Sequence, residues 1–216
     1  MRGQRRGAAG PGRRLLARLL ILCLALLAAR AVAADEAWTL RIEDDGLRVE
    51  TREVPGSKFR AFRGTVRVAA SPDAVLARLR DVASYPDWFP DTREARVLEQ
   101  ADGRWASYIR TGAPWPVKDR DAIYVSTLDG NSDAYRIAIG VAPTRLPEAD
   151  DAVRIREAAG FWHLMRENDG TVITWEFHLE PGGSVPSSLA NARVVATPQG
   201  ALAALREYFG SGAARD

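Results

Sequence analysis

Alternation of apolar and polar positions is the first signal along the chain. "GLRVETREV" at 46–54 and "FRAFRGTVRVAA" at 59–70 carry the period of two expected of strands. The period then changes. In "SPDAVLARLRDV", residues 71–82, the apolar Val75, Leu76, Leu79 and Val82 share one helical face, with Ser71 placed as N-cap and Pro72 at the first helical position. "SYPDWFPD" follows, turn-rich and aromatic, and Pro86 and Pro90 forbid a long helix through it. Further strands are predicted at roughly 93–99, 104–111, 117–128 and 134–142, before a final pair.

That final pair, "GFWHLMRENDGTVITWEFHLEP", reads as a hairpin turning on Asp169-Gly170, a strong short-range hairpin signal. Asn168 then faces Thr171, so that Trp162 opposes Phe177, Leu164 opposes Trp175 and His163 opposes Glu176. Trp162, Leu164, Ile173, Trp175 and Phe177 form the inward face, while Phe161, His163, Met165 and His178 lie on the outer one. The chain closes with a helix from about Pro186 to Phe209, apolar along Leu189, Val195, Leu202, Leu205 and Phe209 but made slim by its alanines. Pro198 is expected to kink or interrupt it. A slim helix across a tryptophan-rich sheet leaves room for a hollow core.

Charge changes the picture once the amino terminus is set apart. Residues 1–18 hold six arginines and no acid, Leu19–Ala29 is unbroken apolar sequence, and Ala31 and Ala33 supply an A-x-A cleavage site. Residues 1–33 therefore read as a signal peptide cleaved near Ala33, which implies a periplasmic or secreted protein; an uncleaved anchor is the alternative. The apolar run is shorter than the roughly 20 residues of a comfortable membrane span. Removing the segment's seven arginines takes the formal charge from +2 to −5 and leaves 183 residues, one domain's worth. A negative balance disfavours nucleic acid as a partner. The sole cysteine, Cys23, departs with the segment, so neither a disulfide nor thiolate chemistry is expected. Two histidines make a zinc site improbable, and no metal or other cofactor is expected.

The order of elements, together with "DVASYPDWFPD", "WPVKDRDAIYV", "VRI" before "GFWHL", and "LEPGGSVPSSLANARV", resembles the START family, the StAR-related lipid-transfer domains, especially secreted bacterial members. The resemblance covers nearly all of the mature chain, with a START-like domain over 34–210 and a flexible tail at 211–216. It implies an α+β helix-grip fold, a curved antiparallel sheet wrapped around a long C-terminal helix with an internal cavity for a lipid or another apolar molecule. By resemblance, Arg120 of "RD" points into that cavity and Asp121 away from it, with Pro114 and Pro116 holding the preceding loop extended beside the entrance. Periodicity leaves open whether Arg120, Ala122, Tyr124 and Ser126 or Ile123, Val125 and Thr127 face inward, and equally whether Arg120 and Asp121 only form a structural network. "RWASYIRTG" lacks the acid that some members place opposite the arginine, and the acidic loop "APTRLPEADDAV" has no reading.

The expected cavity wall is Trp105, Tyr124, Trp162, Trp175 and Phe177, with Arg120 as the polar contact; Asn191 could reach a ligand or cap a neighbouring carbonyl. Arg154 is expected to bond across the sheet, and Trp88 and Phe89 to pack the first helix or to lie near an opening. A cavity enzyme, cyclase-like or hydrolase-like, is the rival reading. Its acid or base candidates, His163 and His178, fall on the outer face, and no nucleophile-elbow, phosphate-loop or metal-ligand spacing is present. The third reading is an envelope interaction module. The expectation is a monomeric binder, and carrier, of a lipid or similar hydrophobic molecule, with transient contact to a membrane and without catalysis.

Overall fold

The computed structural model describes residues 38–211; the expected signal peptide, its cleavage point and the tail beyond 211 lie outside these residues. The elements are β1 (Thr39–Asp44), β2 (Leu47–Arg52), β3 (Ala61–Val68), α1 (Pro72–Arg80), a short α2 (Tyr85–Trp88), β4 (Thr92–Ala101), β5 (Arg104–Thr111), β6 (Asp119–Asn131), β7 (Ala134–Val141), β8 (Ala152–Arg154), β9 (Glu157–Glu167), β10 (Gly170–Glu180) and α3 (Ser187–Gly210). Nine strands run β1-β2-β3-β10-β9-β7-β6-β5-β4, each antiparallel to its neighbours, and β8 joins β6 in parallel. Register shifts between β4 and β5, one after Thr92 and one after Val97, add the local twist that helps curve the sheet. This is the helix-grip architecture expected from the sequence.

The periodicity reading holds for α1, where Ser71 Oγ accepts from the Ala74 N–H at 3.2 Å and Val75, Leu76 and Leu79 are buried. β1 escaped it because "TLRIED" is an edge strand with almost no buried position to produce an alternation. β6 defied it for the opposite reason: Ala122 and Ile123, on opposite faces, are both fully buried. The segment from Ala142 to Ile155 returns against that strand, Ala142 N–H donating to the Ile123 carbonyl and Ile155 N–H to that of Asp121.

In the last hairpin the inward face is as expected, but the register differs by two residues. The turn is Asn168-Asp169, with Asn168 at φ 53°, and Glu167 faces Gly170. Trp162 therefore pairs with Trp175, Leu164 with Ile173, and Phe177 with Gly160, while His163 faces Thr174 rather than Glu176. A two-residue slip keeps every side chain on its face, so packing chose between the registers. The observed one stacks Trp162 on Trp175 at 4.4 Å with 11° between the planes, and lays the Phe177 ring over Gly160. Gly170 serves close approach: a Cβ there would lie 2.4 Å from the Val68 carbonyl oxygen.

Of the kink or interruption expected at Pro198, the interruption does not occur: the terminal helix is continuous through the proline. Its carboxyl half is anchored in the core, where Ala201, Leu202 and Leu205 are fully buried. Leu202 and Pro198 press on β3 at Gly64, where an added Cβ would come within 2.6 Å of Leu202 Cδ1. This contact supports the helix around the proline, whose missing N–H leaves one helical bond unmade. The amino half packs more lightly, with Val194 and Val195 only half-buried against the core.

Gly160 tests the register. A Cβ there would meet the Glu176 carbonyl oxygen at 2.2 Å and Phe177 Cδ2 at 2.4 Å. Gly160→Val should cost about 1–3 kcal/mol or more in chemical denaturation; a neutral result would contradict this pairing.

Candidate functional site

Between the sheet and the amino half of α3 lies a cavity of about 260 Å³. Six strands, β3, β5, β6, β7, β9 and β10, set its aromatic and aliphatic wall, to which α3 adds Leu189, Ala190, Val194 and Thr197. Trp105, Arg120, Tyr124, Trp162, Trp175 and Phe177 all line it. Trp175 is the hub. Beyond its stack on Trp162 it takes Phe62 edge-on at 4.6 Å and Phe89 at 5.4 Å, while Tyr124 meets Phe177 at 6.1 Å. Of the two faces that periodicity left open on β6, the one with Arg120, Tyr124 and Ser126 is the cavity face.

Sequence reasoning missed Phe62, Phe89, Ile109, Ile137, Ile139 and Ile155 in the lining. Phe62 becomes a neighbour of Phe177 only through the pairing of β3 with β10, which spans more than a hundred residues and has no local signature. The two aromatic residues after α1 divide their roles. Trp88 packs locally, its Nε1–H donating to Ser84 Oγ at 3.2 Å under the Arg78 guanidinium, whereas Phe89 reaches the cavity.

Asn191 takes the second of its two expected roles, a carbonyl contact in place of a ligand contact. It is not in the lining; its Oδ1 accepts from the Arg60 N–H at 3.0 Å and its Nδ2 donates to the Lys58 carbonyl at 3.3 Å. Its amide holds α3 to the loop before β3, which takes up its hydrogen-bonding groups. His178 is a correction. At the end of β10, where the chain leaves the sheet beside α3, it borders the cavity, with Nε2 shielded from solvent, unbonded, and 3.6 Å from Glu180 Oε1. The loop before β6 differs as well. It is turned rather than extended: Val117 N–H donates to the Pro114 carbonyl at 2.9 Å around a cis Trp115–Pro116 bond. Pro114 and Val117 reach the cavity, and Trp115 projects outward, 93% exposed.

Asp121 points away from the cavity into a buried ion pair. Arg154 donates from Nε and Nη2 to the two Asp121 carboxylate oxygens at 2.9 and 2.8 Å. Its remaining N–H groups reach the carbonyls of Pro143, Leu146 and Pro147, which gives the acidic loop a function as the lid of this pair. Arg120, on the cavity face, bonds only backbone: Nε to the Pro181 carbonyl and Nη2 to that of Gly182, both at 3.2 Å, and Nη1 to that of Lys118. Gly182 and Gly183, at φ 64° and 57°, adopt the left-handed turn that glycine permits, and this turn brings the Pro181 and Gly182 carbonyls onto the guanidinium. At the rim, Arg193 of α3 pairs with Asp91 of the turn before β4.

Tyr124 is enclosed by protein although it faces the cavity, and burial pushes its phenol up to about 12. The neutral form is thus favoured in the folded state, and between pH 10 and about 12 the unfolded chain gives up this proton first. Tyr124 therefore supports folding below pH 10 and loses that contribution as pH rises to about 12; Tyr124→Phe should flatten this part of an alkaline unfolding curve. Arg154→Met should destabilise the domain by about 3–5 kcal/mol in denaturant titration, because it leaves the Asp121 carboxylate buried and unpaired.

The comparisons with known proteins agree with this geometry. A family model described as polyketide cyclase / dehydrase and lipid transport matches residues 60–210. An uncharacterized protein of Pseudomonas aeruginosa is 32% identical over 191 residues, covering 88% of this chain and 95% of that one. The crystal structure of a STAR-related lipid transfer protein from Xanthomonas axonopodis superposes with a TM-score of 0.76 at 39% identity, over 81% of this chain and 99% of that one. The lipid transfer and protein localization domain of human StarD13 shares the fold at 16% identity, with a TM-score of 0.68 over 86% of this chain and 95% of that one.

Proposed function

The chain belongs to the START-like polyketide cyclase/dehydrase and lipid transport family, and from that premise we propose that it binds, and carries, a lipid or another hydrophobic small molecule in its internal cavity. The observation that carries this reading is the chemistry of the wall. Aromatic rings from five strands, several of them stacked or edge-on, together with aliphatic groups of α3, enclose a volume that suits an apolar body, with few polar groups among them. Transfer of an apolar ligand from the wall to water is unfavourable in proportion to its apolar area, so a carrier needs this enclosure to keep its cargo.

Carriage through an aqueous envelope compartment is part of the proposal. It draws on the amino-terminal basic and apolar segment with its small-residue cleavage site, which fits export of a monomeric domain to the periplasm or beyond. A passing contact with a lipid surface is supported by Trp115, an exposed indole next to the cavity-lining Pro114 and Val117. Catalysis lies outside the reading. Of the two histidines weighed as acid or base, His163 is not in the lining and His178 only borders it at the end of β10, while Tyr124, the phenol in the wall, is held neutral by burial.

The test is native mass spectrometry of the protein purified from its own host, followed by organic extraction. A stoichiometric apolar molecule released on extraction is the expected result. Protein that is free of such a molecule and also fails to take up a panel of lipids would overturn the proposal.

A further inference from the structure

Two buried arginines lie side by side in the parallel ladder of β6 and β8, where Arg120 pairs with Val153 and Asp121 with Arg154. They are nearly equal in exposure, 9% for Arg120 and 3% for Arg154. Their partners differ. All five N–H donors of Arg154 are used, two on a carboxylate and three on carbonyls. Arg120 spends three donors on the carbonyls of Lys118, Pro181 and Gly182 and pairs with no carboxylate among the described residues. Asp119, the acid next to it, is engaged by Arg110 at 2.9 Å, by Arg93 at 3.3 Å and by the Ala113 N–H at 3.2 Å.

Carbonyl dipoles orient a guanidinium but do not neutralise it, and an arginine does not escape its charge by deprotonation. Burial indeed disfavours the charged form of Arg120, with Asp119 offsetting only part of the effect. A buried cation without a counter-charge is costly. The wall around it supplies no anion. Its one carboxylate among the described residues, Asp91, is paired with Arg193 at the rim; the sheet also brings to the lining the hydroxyls of Ser107, Thr111, Tyr124 and Ser126, which can donate to an acceptor, and His178 at the end of β10.

We propose that the ligand brings the missing charge: it is an anionic amphiphile whose carboxylate or phosphate head accepts the two spare N–H groups of Arg120 while its apolar body lies along Trp162, Trp175 and Phe177. The proposal rests on the cavity's role as an apolar-ligand site and adds the sign of the head group. A two-point contact between guanidinium and oxyanion is stronger and more directional than a neutral hydrogen bond.

The test titrates the purified protein with dodecanoate, dodecyl phosphate, methyl dodecanoate and dodecanol, each below its aggregation concentration, and follows tryptophan fluorescence. At least one of the two anions should bind about tenfold or more tighter than the ester and the alcohol, the scale of a charge-assisted pair. Whichever anion leads identifies the head as carboxylate or phosphate. In Arg120→Gln the anions should lose that advantage while the ester and alcohol keep their affinity. The wild-type comparison stands even if that variant folds poorly. Ester or alcohol binding as tightly as the anions would overturn the charged head and leave the apolar cavity in place. Binding of none of the four would count against the cavity reading itself, and the head-group proposal would fall with it.

Discussion

Side chains that leave about 260 Å³ between a sheet and a helix forgo the contacts that would otherwise fill that space. At the scale measured for cavities in protein cores, such a volume corresponds to about 6 kcal/mol, comparable to the whole stability of a typical domain. The rest of the molecule is arranged around this cost. Nine antiparallel strands form a continuous ladder, α1 and α2 plug one side, and the carboxyl half of α3 packs against Gly64 closely enough that no Cβ fits. The amino half of α3 packs more lightly, through the half-buried Val194 and Val195. Polar contacts add to its hold, Asn191 to the loop before β3 and Arg193 to Asp91.

Much of this was legible in the residues. Strand and helix periods, the inward face of the last hairpin and the slim terminal helix were all visible, because each depends on near neighbours in sequence. The hairpin register was not, since a two-residue slip preserves every facing and both Asn168-Asp169 and Asp169-Gly170 make acceptable turns. The decision came from Gly160 under Phe177 and from the stacking of Trp162 on Trp175, which concern packing across strands. Six of the seven residues expected to touch a ligand lie in the cavity wall. Asn191 does not, because its short amide finds backbone partners first.

The charged run ahead of β6 divides into separate tasks. Asp119 serves Arg110, Arg120 faces inward, and Asp121 turns to Arg154 beneath the 143–147 carbonyls. Alternation along one strand thus places opposite charges on opposite faces of the sheet one residue apart. Resemblance gave the facings of Arg120 and Asp121, but the sequence could not name the partners, since those of both arginines are largely carbonyls, which every residue possesses. The paired glycines at 182 and 183 were the readable trace, a sign that backbone there must turn tightly around something.

Gly160 and Phe177 also bear on how this sequence can change over time. The ring takes part of the space that a side chain at 160 would need, and the Glu176 carbonyl oxygen and the Phe177 backbone take the rest. Shrinking Phe177 would open the cavity wall at a point where an aromatic face is in use, yet it would leave the backbone contact at 2.2 Å in place. No replacement at 177 alone therefore makes room at 160. The glycine should persist through divergence whatever stands at 177, because the neighbouring strand's backbone, and not only a ring, lies where its side chain would be.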